Sequence, residues 1–485
     1  MVLRLMFRAF LKDSALYTLP AIVSRGLAII TIPIYTRALS TSDYGAFDLL
    51  MVFANLLNLT IALEVSQAVA RFYAAEHDSL KRIGYASSAF WFTLLCYSIF
   101  AVLGFTFSEQ LASLVMGVDG LEKCFQIGVL YIWFNGLFLL LQNQFRWELR
   151  SKHFAIVSLI VALTTAAIAI YLTLYKDLGL EGFMLGMLSG VIFGVIYSLW
   201  FLRHTFKAVF KLHLLLEMLR FSAPLVPSGI AVFLTTYIDR LMISRYLTLD
   251  DVGIYGIAFR LAAVIGVVMM GFQMALTPLI YSHYHKAETP IQLAKIFRVF
   301  TAFSLLVVMT LIVLADDILV LMTTPDYYGA ASLMIFMVPA FLLSQMYVFA
   351  PGMAITKKTY IILLLNVMAA LISIVMNSIL IPWLGLQGAA IANMLSYLAL
   401  FSGCMYISQK LYFVPHSWFG ILISTAFIFS CAIVIPTLVS GGLFKLLVLS
   451  VALLLGIIVF IATGLIRISE LSQLRAIVIR KHQKI

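Results

Sequence analysis

Eight charged or amide side chains stand inside stretches that are otherwise apolar. They are Arg25 in 15–36; Asp48, Asn55, Asn58 and Glu64 in 44–67; Asp239 and Arg240 in 221–245; and Arg260 in 253–279. Where such a stretch crosses a bilayer, a charge at its centre costs about 2.5–3.5 kcal/mol on insertion scales unless it meets a partner or a wet cavity. Arg25, Arg240 and Arg260 have the chemistry to bind a multivalent anion, because a guanidinium forms fork-like hydrogen bonds to phosphate. Asp48, Glu64 and Asp239 have the chemistry to carry a coupling ion, H+ or Na+. The competing reading is internal salt bridges, such as Arg25 with Asp48, or Asp239 with another cation. At about 100° per residue, Asp48 and Asn55 share one helix face with Asn58 beside them. Glu64, Gln67 and Arg71 form a second polar stripe.

The elements that must position these groups follow from composition. The chain has 485 residues, 63% hydrophobic and 11% charged, with a mean hydropathy of +1.07. A water-soluble chain of this length needs far more polar surface. The apolar runs are continuous over about 20 residues rather than alternating over about ten, which selects helices over a β-barrel. The expected architecture is an all-α polytopic membrane protein of about 14 transmembrane helices. Spans are expected at 15–36, 44–67, 83–107, 124–145, 154–175, 182–202, 221–245, 253–279, 296–315, 331–351, 360–381, 388–409, 418–437 and 443–466. The basic but uncleaved-looking start, MVLRLMFRAFLKDS, leads straight into the first of them.

With both termini cytoplasmic, the 32 basic residues divide 24 to 5 in favour of the cytoplasmic loops, with Arg25, Arg240 and Arg260 left in the membrane. That asymmetry obeys the positive-inside rule. The net charge of +11 therefore encodes topology, and nucleic acid is not an expected partner. Cys96, Cys124, Cys404 and Cys431 lie in or beside apolar runs without metal-ligand spacing. His283 and His285, in YSHYHKAE, have no nearby carboxylate set, so no metal site is expected. Aromatic residues near span ends fit interfacial belts.

The chain also repeats itself. LGLEGFMLGMLSG (178–190) returns as LGLQGAAIANMLS (384–396), and RSKHFAIVSLIVAL (150–163) as TKKTYIILLLNVMA (356–369), both at an offset of about 206 residues. STSDYGAFDLL (40–50) returns as TLDDVGIYGIA (248–258). Six spans per repeat is an even number, so the halves are parallel, an arrangement that places a substrate site at their interface near the midplane. The expected organisation is an N-lobe over 1–203 (spans 1–6), a cytoplasmic amphipathic connection over 204–220, a C-lobe over 221–410 (spans 7–12), and spans 13–14 with a basic tail over 411–485. Gly182, Gly186, Gly190 and Gly194 recur at every fourth position of span six and read as a packing face. Pro20, Pro33, Pro224 and Pro227 predict bends in the first span of each half. The intramembrane charges concentrate on the first two spans of each half.

ALYTLPAIVSRGLAIITIPIYTRALSTSDYGAFDLL (15–50), the LGLEG/LGLQG pair and the layout of two lobes plus two spans together resemble the polysaccharide-transporter, or Wzx-type O-antigen flippase, family. The resemblance runs over essentially the whole chain. It implies membership of the multidrug/oligosaccharidyl-lipid/polysaccharide exporter superfamily. It also implies translocation of an undecaprenyl-diphosphate-linked oligosaccharide across the bacterial inner membrane, by alternating access and with ion coupling. The lipid bilayer is the setting, and a polysaccharide polymerase and chain-length regulator are the implied protein partners. Arg25 and Arg260 match the related lipid II flippases by helix, but the second helix carries Asp48 and Glu64 where those proteins have an arginine. The alternative is a cation-coupled multidrug exporter of the same superfamily. With no Walker motif, no GxSxG and no large polar loop, an enzyme is not expected, nor any cofactor beyond a coupling H+ or Na+.

Overall fold

The computed structural model describes residues 23, 26–27, 29–266, 269, 272–273, 276, 280, 282–358, 360–439 and 441–467. Among them the regular structure is helical throughout. Eleven helices are long and apolar enough to cross a membrane, or twelve when the bent pair Thr41–Thr60 and Val65–Ala75 counts as one span. Those twelve coincide with expected spans 2–7 and 9–14. The first and eighth expected spans run into residues outside the described set, so the count of 14 is not reached among the described residues. The chain is a multi-pass membrane protein.

Packing divides the chain into two compact units. The first takes residues 1–256 and 322–327. Its helices are α1 (Ile32–Ala38), α2 (Thr41–Thr60), α3 (Val65–Ala75), α4 (Ser79–Thr106), α5 (Ser108–Met116), α6 (Glu122–Trp147), α7 (Ser151–Ile170), α8 (Gly179–Leu202), α9 (Leu212–Ser222), α10 (Val226–Tyr246) and most of α11 (Leu249–Ala262). α2 starts where Ser40 and Asp43 form a reciprocal capping box, which satisfies two orphan amides of the first turn. It stops where Leu63 and Glu64 take φ of 49° and 53°. Neither residue is glycine, so this left-handed step is strained, and it turns the chain by 43° into α3.

The described prolines of the expected bends, Pro33, Pro224 and Pro227, stand in first turns rather than inside a helix. α1 begins after Thr31 with Pro33 in its first turn, where the missing amide is harmless. Pro224 lies in a 3-10 turn, Ala223–Leu225, that joins α9 to α10. Pro20 lies outside the described residues. α9 buries Leu214, Leu215 and Met218 while Leu212 and Leu216 stay exposed, the two-faced pattern expected of the connection.

Span six packs through its glycines. A Cβ on Gly186 would lie 2.4 Å from Ala169 Cα, and one on Gly190 would lie 2.0 Å from Thr165 Oγ1. α8 can therefore approach α7 only with hydrogen at those positions.

The second unit takes residues 257–321 and 328–485. It contains the end of α11, α12 (Thr289–Val313), most of α13 (Ala315–Met322), α14 (Ala331–Gln345), α15 (Gly352–Ile355), α16 (Tyr360–Leu384), α17 (Leu386–Leu411), α18 (Trp418–Leu438) and α19 (Gly442–Ala462). Gly388 reproduces the role of Gly182: a Cβ there would lie 2.1 Å from the Leu380 carbonyl oxygen, so the α16–α17 pair depends on glycine as the α7–α8 pair does. α18 and α19 pack on α12 and on each other. Their other faces expose Leu422, Ile433, Leu447, Val451, Leu454 and Ile458, which suits hydrocarbon as the neighbour.

Candidate functional site

Three helices of the first unit bring charge together in its interior. α10 contributes Asp239 and Arg240, α2 contributes Asp48 from 192 residues earlier, and α11 contributes Tyr255. Arg240 is 2% exposed. Its Nε donates to Asp48 Oδ2 at 2.6 Å, and its Nη1 donates to Asp239 Oδ1 at 3.2 Å. The Tyr255 hydroxyl donates to Asp239 Oδ2. The rings of Tyr237 and Tyr255 flank the guanidinium, with centroids 5.4 and 5.6 Å from its central carbon.

One guanidinium thus bridges two carboxylates, those of Asp48 and Asp239. A single side chain of this set would be prohibitive alone at such burial. Removing one partner of a buried pair typically costs about 3–5 kcal/mol, because the charge left behind has no water to turn to. Two buried carboxylates on one guanidinium have the chemistry of a structural ion pair and also of a site that takes up a proton or small cation.

Arg25 lies outside the described residues. Asp48, which the sequence offered as its partner, pairs with Arg240. Arg260 stands on α11 one turn beyond Gly256 and is half-buried. Glu64 sits at the left-handed break between α2 and α3, half-buried. Asn58 accepts from the Tyr97 hydroxyl at 3.0 Å. Asn55 is exposed and donates to its own helix at Met51 O, 2.8 Å away. No group of three or more potential metal ligands occurs among the described residues.

Sequence reasoning missed three things. The tyrosines of the cluster were one; tyrosine is common in membrane helices, and no spacing marked Tyr237 or Tyr255. A second is Glu148, just after α6, whose Oε1 accepts from Tyr73 at 3.3 Å, from Gln144 at 3.1 Å and from Thr205, while Arg150 lies 3.4 Å from Oε2. The third is Lys445 in α19, buried to 2% and 2.6 Å from Asp317. In the positive-inside expectation it is one of the five basic residues of the non-cytoplasmic side, and only burial reveals its pairing.

Comparison with known proteins adds the context. Residues 10–285 match the family model described as polysaccharide biosynthesis protein, more than half of the chain. The chain belongs to that family. Residues 224–383 also match the MatE model. The succinoglycan biosynthesis transport protein ExoT of Rhizobium meliloti (strain 1021) is 25% identical over 264 residues, covering 51% of this chain and 49% of that one. The match thus spans about half the length of this curated relative. Among solved structures, lipid II flippase MurJ in an inward closed conformation aligns with a TM-score of 0.75 at 15% identity. That alignment covers 93% of this chain and all of MurJ. An inward-facing multidrug resistance MATE transporter of the MOP superfamily aligns with a TM-score of 0.62 at 16% identity, over 80% of this chain and 95% of its own. The fold is the one shared by these two solved structures.

Proposed function

We propose that this family member is a flippase that moves an undecaprenyl-diphosphate-linked oligosaccharide from the cytoplasmic to the periplasmic leaflet of a bacterial inner membrane, with both termini cytoplasmic. The observation that carries the reading is the buried Asp48–Arg240–Asp239 cluster in a chain whose first half matches a polysaccharide biosynthesis family. The two repeats, 1–203 and 221–410, act as lobes that alternate between openings, with spans 13 and 14 alongside.

In this reading Asp48 and Asp239 exchange a proton or Na+, and Arg240 sets their affinity by holding one negative charge in compensation. Glu64, at the strained break of α2, is the further carboxylate of the set. Arg25 and Arg260 bind the diphosphate. Arg240 joins them when uptake of the coupling ion frees its donors, since in the present structure Nε and Nη1 already serve carboxylates. A polar glycan cannot cross about 30 Å of hydrocarbon unaided, so transport needs a charged, wet interior of this kind.

The alternative, multidrug export, is less well supported. The MurJ alignment extends over 93% of this chain, against 80% for the MATE transporter, and Arg25 and Arg260 as ligand-binding residues would repel cationic drugs. The deciding experiment deletes the gene and measures lipid-linked glycan on the cytoplasmic leaflet together with drug susceptibility. Accumulated glycan with unchanged susceptibility is the expected outcome. Sensitisation to cationic drugs with normal surface glycan would overturn it.

A further inference from the structure

Two arginines at one end of the first unit lie flat on aromatic rings. Arg71 Cζ is 4.5 Å from the ring centroid of Phe221, and Arg82 Cζ is 4.2 Å from that of Tyr73. A guanidinium over a ring is attracted through its face, and its N–H donors stay in its own plane, directed outward. Stacking therefore fixes the cation without using its donors. Arg150 shows the other case: it lies 5.7 Å from the Phe145 centroid, but its Nη1 already serves Glu148 and the Phe201 carbonyl oxygen.

Arg71 and Arg82 share one corner. Arg71 is in the last turns of α3, Arg82 in the first turn of α4, and Phe221 at the end of α9. Phe72 joins these helices, stacking on Tyr85 at 5.5 Å and meeting Phe221 edge-on at 6.1 Å. The carboxylates of the corner are engaged elsewhere. Glu76 lies 3.7 Å from Lys81, Asp78 accepts from the Leu80 amide, Glu217 from the Tyr85 hydroxyl and Glu148 from the Tyr73 hydroxyl. Among the described residues neither guanidinium has a hydrogen bond or ion pair, and Arg82 Nε is buried. Native structures rarely keep a buried donor without an acceptor unless a water, ion or ligand serves it. Leu80 of α4 and Leu212 and Leu216 of α9 are exposed on the same elements. Cations beside exposed leucines are the composition of the depth where lipid headgroups meet acyl chains.

We infer that this corner binds the phosphate of an anionic phospholipid of the surrounding leaflet, with Arg71 and Arg82 as donors and the three leucines against acyl chain. The planar fork of arginine matches phosphate oxygens. A membrane-spanning helix, α4, begins here, which sets the donors at headgroup depth. With the termini cytoplasmic as proposed above, that leaflet is the inner one. The inference stands on the membrane fold and not on what is transported.

The test uses the full-length protein purified in detergent and supplied with phosphatidylglycerol, phosphatidylcholine or inorganic diphosphate. Native mass spectrometry counts retained lipid, and thermal unfolding reports stabilisation, since a ligand of the native state raises apparent stability. Phosphatidylglycerol should be retained in preference to phosphatidylcholine and should raise the unfolding temperature. Arg71→Gln and Arg82→Gln should each lower its retention about fivefold, the loss of one surface cation's attraction to an anionic lipid. Arg82→Lys, which keeps the charge without the fork, should lower it less. Lys207→Gln, removing an exposed cation of the same connection, should leave retention unchanged.

Equal retention of the two lipids, equal protection by inorganic diphosphate, or unchanged retention in both arginine variants would overturn the site. So would an equal loss in Lys207→Gln, which would mean diffuse surface charge. Should Arg82→Gln fail to accumulate, Arg71→Gln decides alone, because Arg71 is exposed. Normal surface glycan in a strain lacking the gene would overturn the flippase reading, and lipid retention still decides the site.

Discussion

Arg240 and Lys445 have the same plan and opposite surroundings. Each is a cation buried to 2% that faces two carboxylates, one at 2.6 Å and one further away, at 3.2 Å for Arg240 and 4.0 Å for Lys445. Around Arg240 the carboxylates are themselves buried, with side chains 10% and 2% exposed. Around Lys445 they are 40% and 64% exposed. Water therefore solvates Asp316 and Asp317 whether or not the lysine is present, and it cannot do the same for Asp48 and Asp239. The difference separates a clamp at the end of a helix from an interior cluster whose charge must be managed. With the nearer carboxylate at 2.6 Å in both, the exposure of the partner carboxylates decides what a buried cation is for.

The strongest test of that contrast is Arg240→Ala. It removes the cation that bridges two buried carboxylates, and the expected loss is about 3–5 kcal/mol of stability together with loss of export, read as protein level and surface glycan. Arg240→Lys keeps the charge but not the planar fork, so export should fall partially while protein level holds. If Arg240→Ala accumulates and exports normally, the cluster has no more weight than Lys445.

Neutralising carboxylates comes next. Asp48→Asn and Asp239→Asn should keep the protein in the membrane yet lose export driven by an ion gradient. Asp48→Asn combined with Arg240→Met separates the roles: full recovery of export in the double variant would make the pair structural, and a stable but inactive protein would make it functional.

A third kind of buried group sharpens the comparison. His416, in the loop between α17 and α18, has no hydrogen-bond partner at either ring nitrogen among the described residues and packs against Phe297 and Trp418 at ring-centroid distances of 4.6 and 5.3 Å. Burial pushes its pKa down to about 4. The unfolded chain, with the ordinary value near 6.5, then binds the proton more readily. Stability is unaffected above about pH 6.5 and falls as pH drops from there towards 4, by roughly 1–2 kcal/mol after allowance for solvent at the loop. Thermal unfolding of the purified protein at pH 7.5 and 5 should show this loss, and His416→Phe should reduce it.

The smallest effect is expected from Lys445→Met. With both acids wet, the loss should be at most about 1 kcal/mol, and export should persist. A collapse in export would place Lys445 with Arg240 after all.

Much of the architecture was legible without coordinates. Twelve expected spans coincide with helices, because a bilayer demands long apolar runs and a helix satisfies its own backbone within each one. The glycine face of span six was equally legible, since a spacing of four fixes one side of a helix whatever it packs against. The cluster was only half legible. Asp48, Asp239 and Arg240 stood out as charges in apolar runs, but helical periodicity gives a direction around one axis and not the identity of the helix it faces. The pairing of Asp48 with Arg240 therefore could not be read.

From the sequence alone came the membrane class, the positions of the spans, the internal repeat and the short set of residues whose burial had to be explained. Those properties depend on local composition and on periods of one helix turn or one repeat. The tertiary structure alone decided that Arg240 lies between Asp48 and Asp239, that Tyr255 completes the set, and that Arg71 and Arg82 lie over aromatic rings. It also separated Lys445 from Arg240, which look alike as isolated letters. Pairing, burial and close approach are relations between segments 192 residues apart and more, set by how the helices pack.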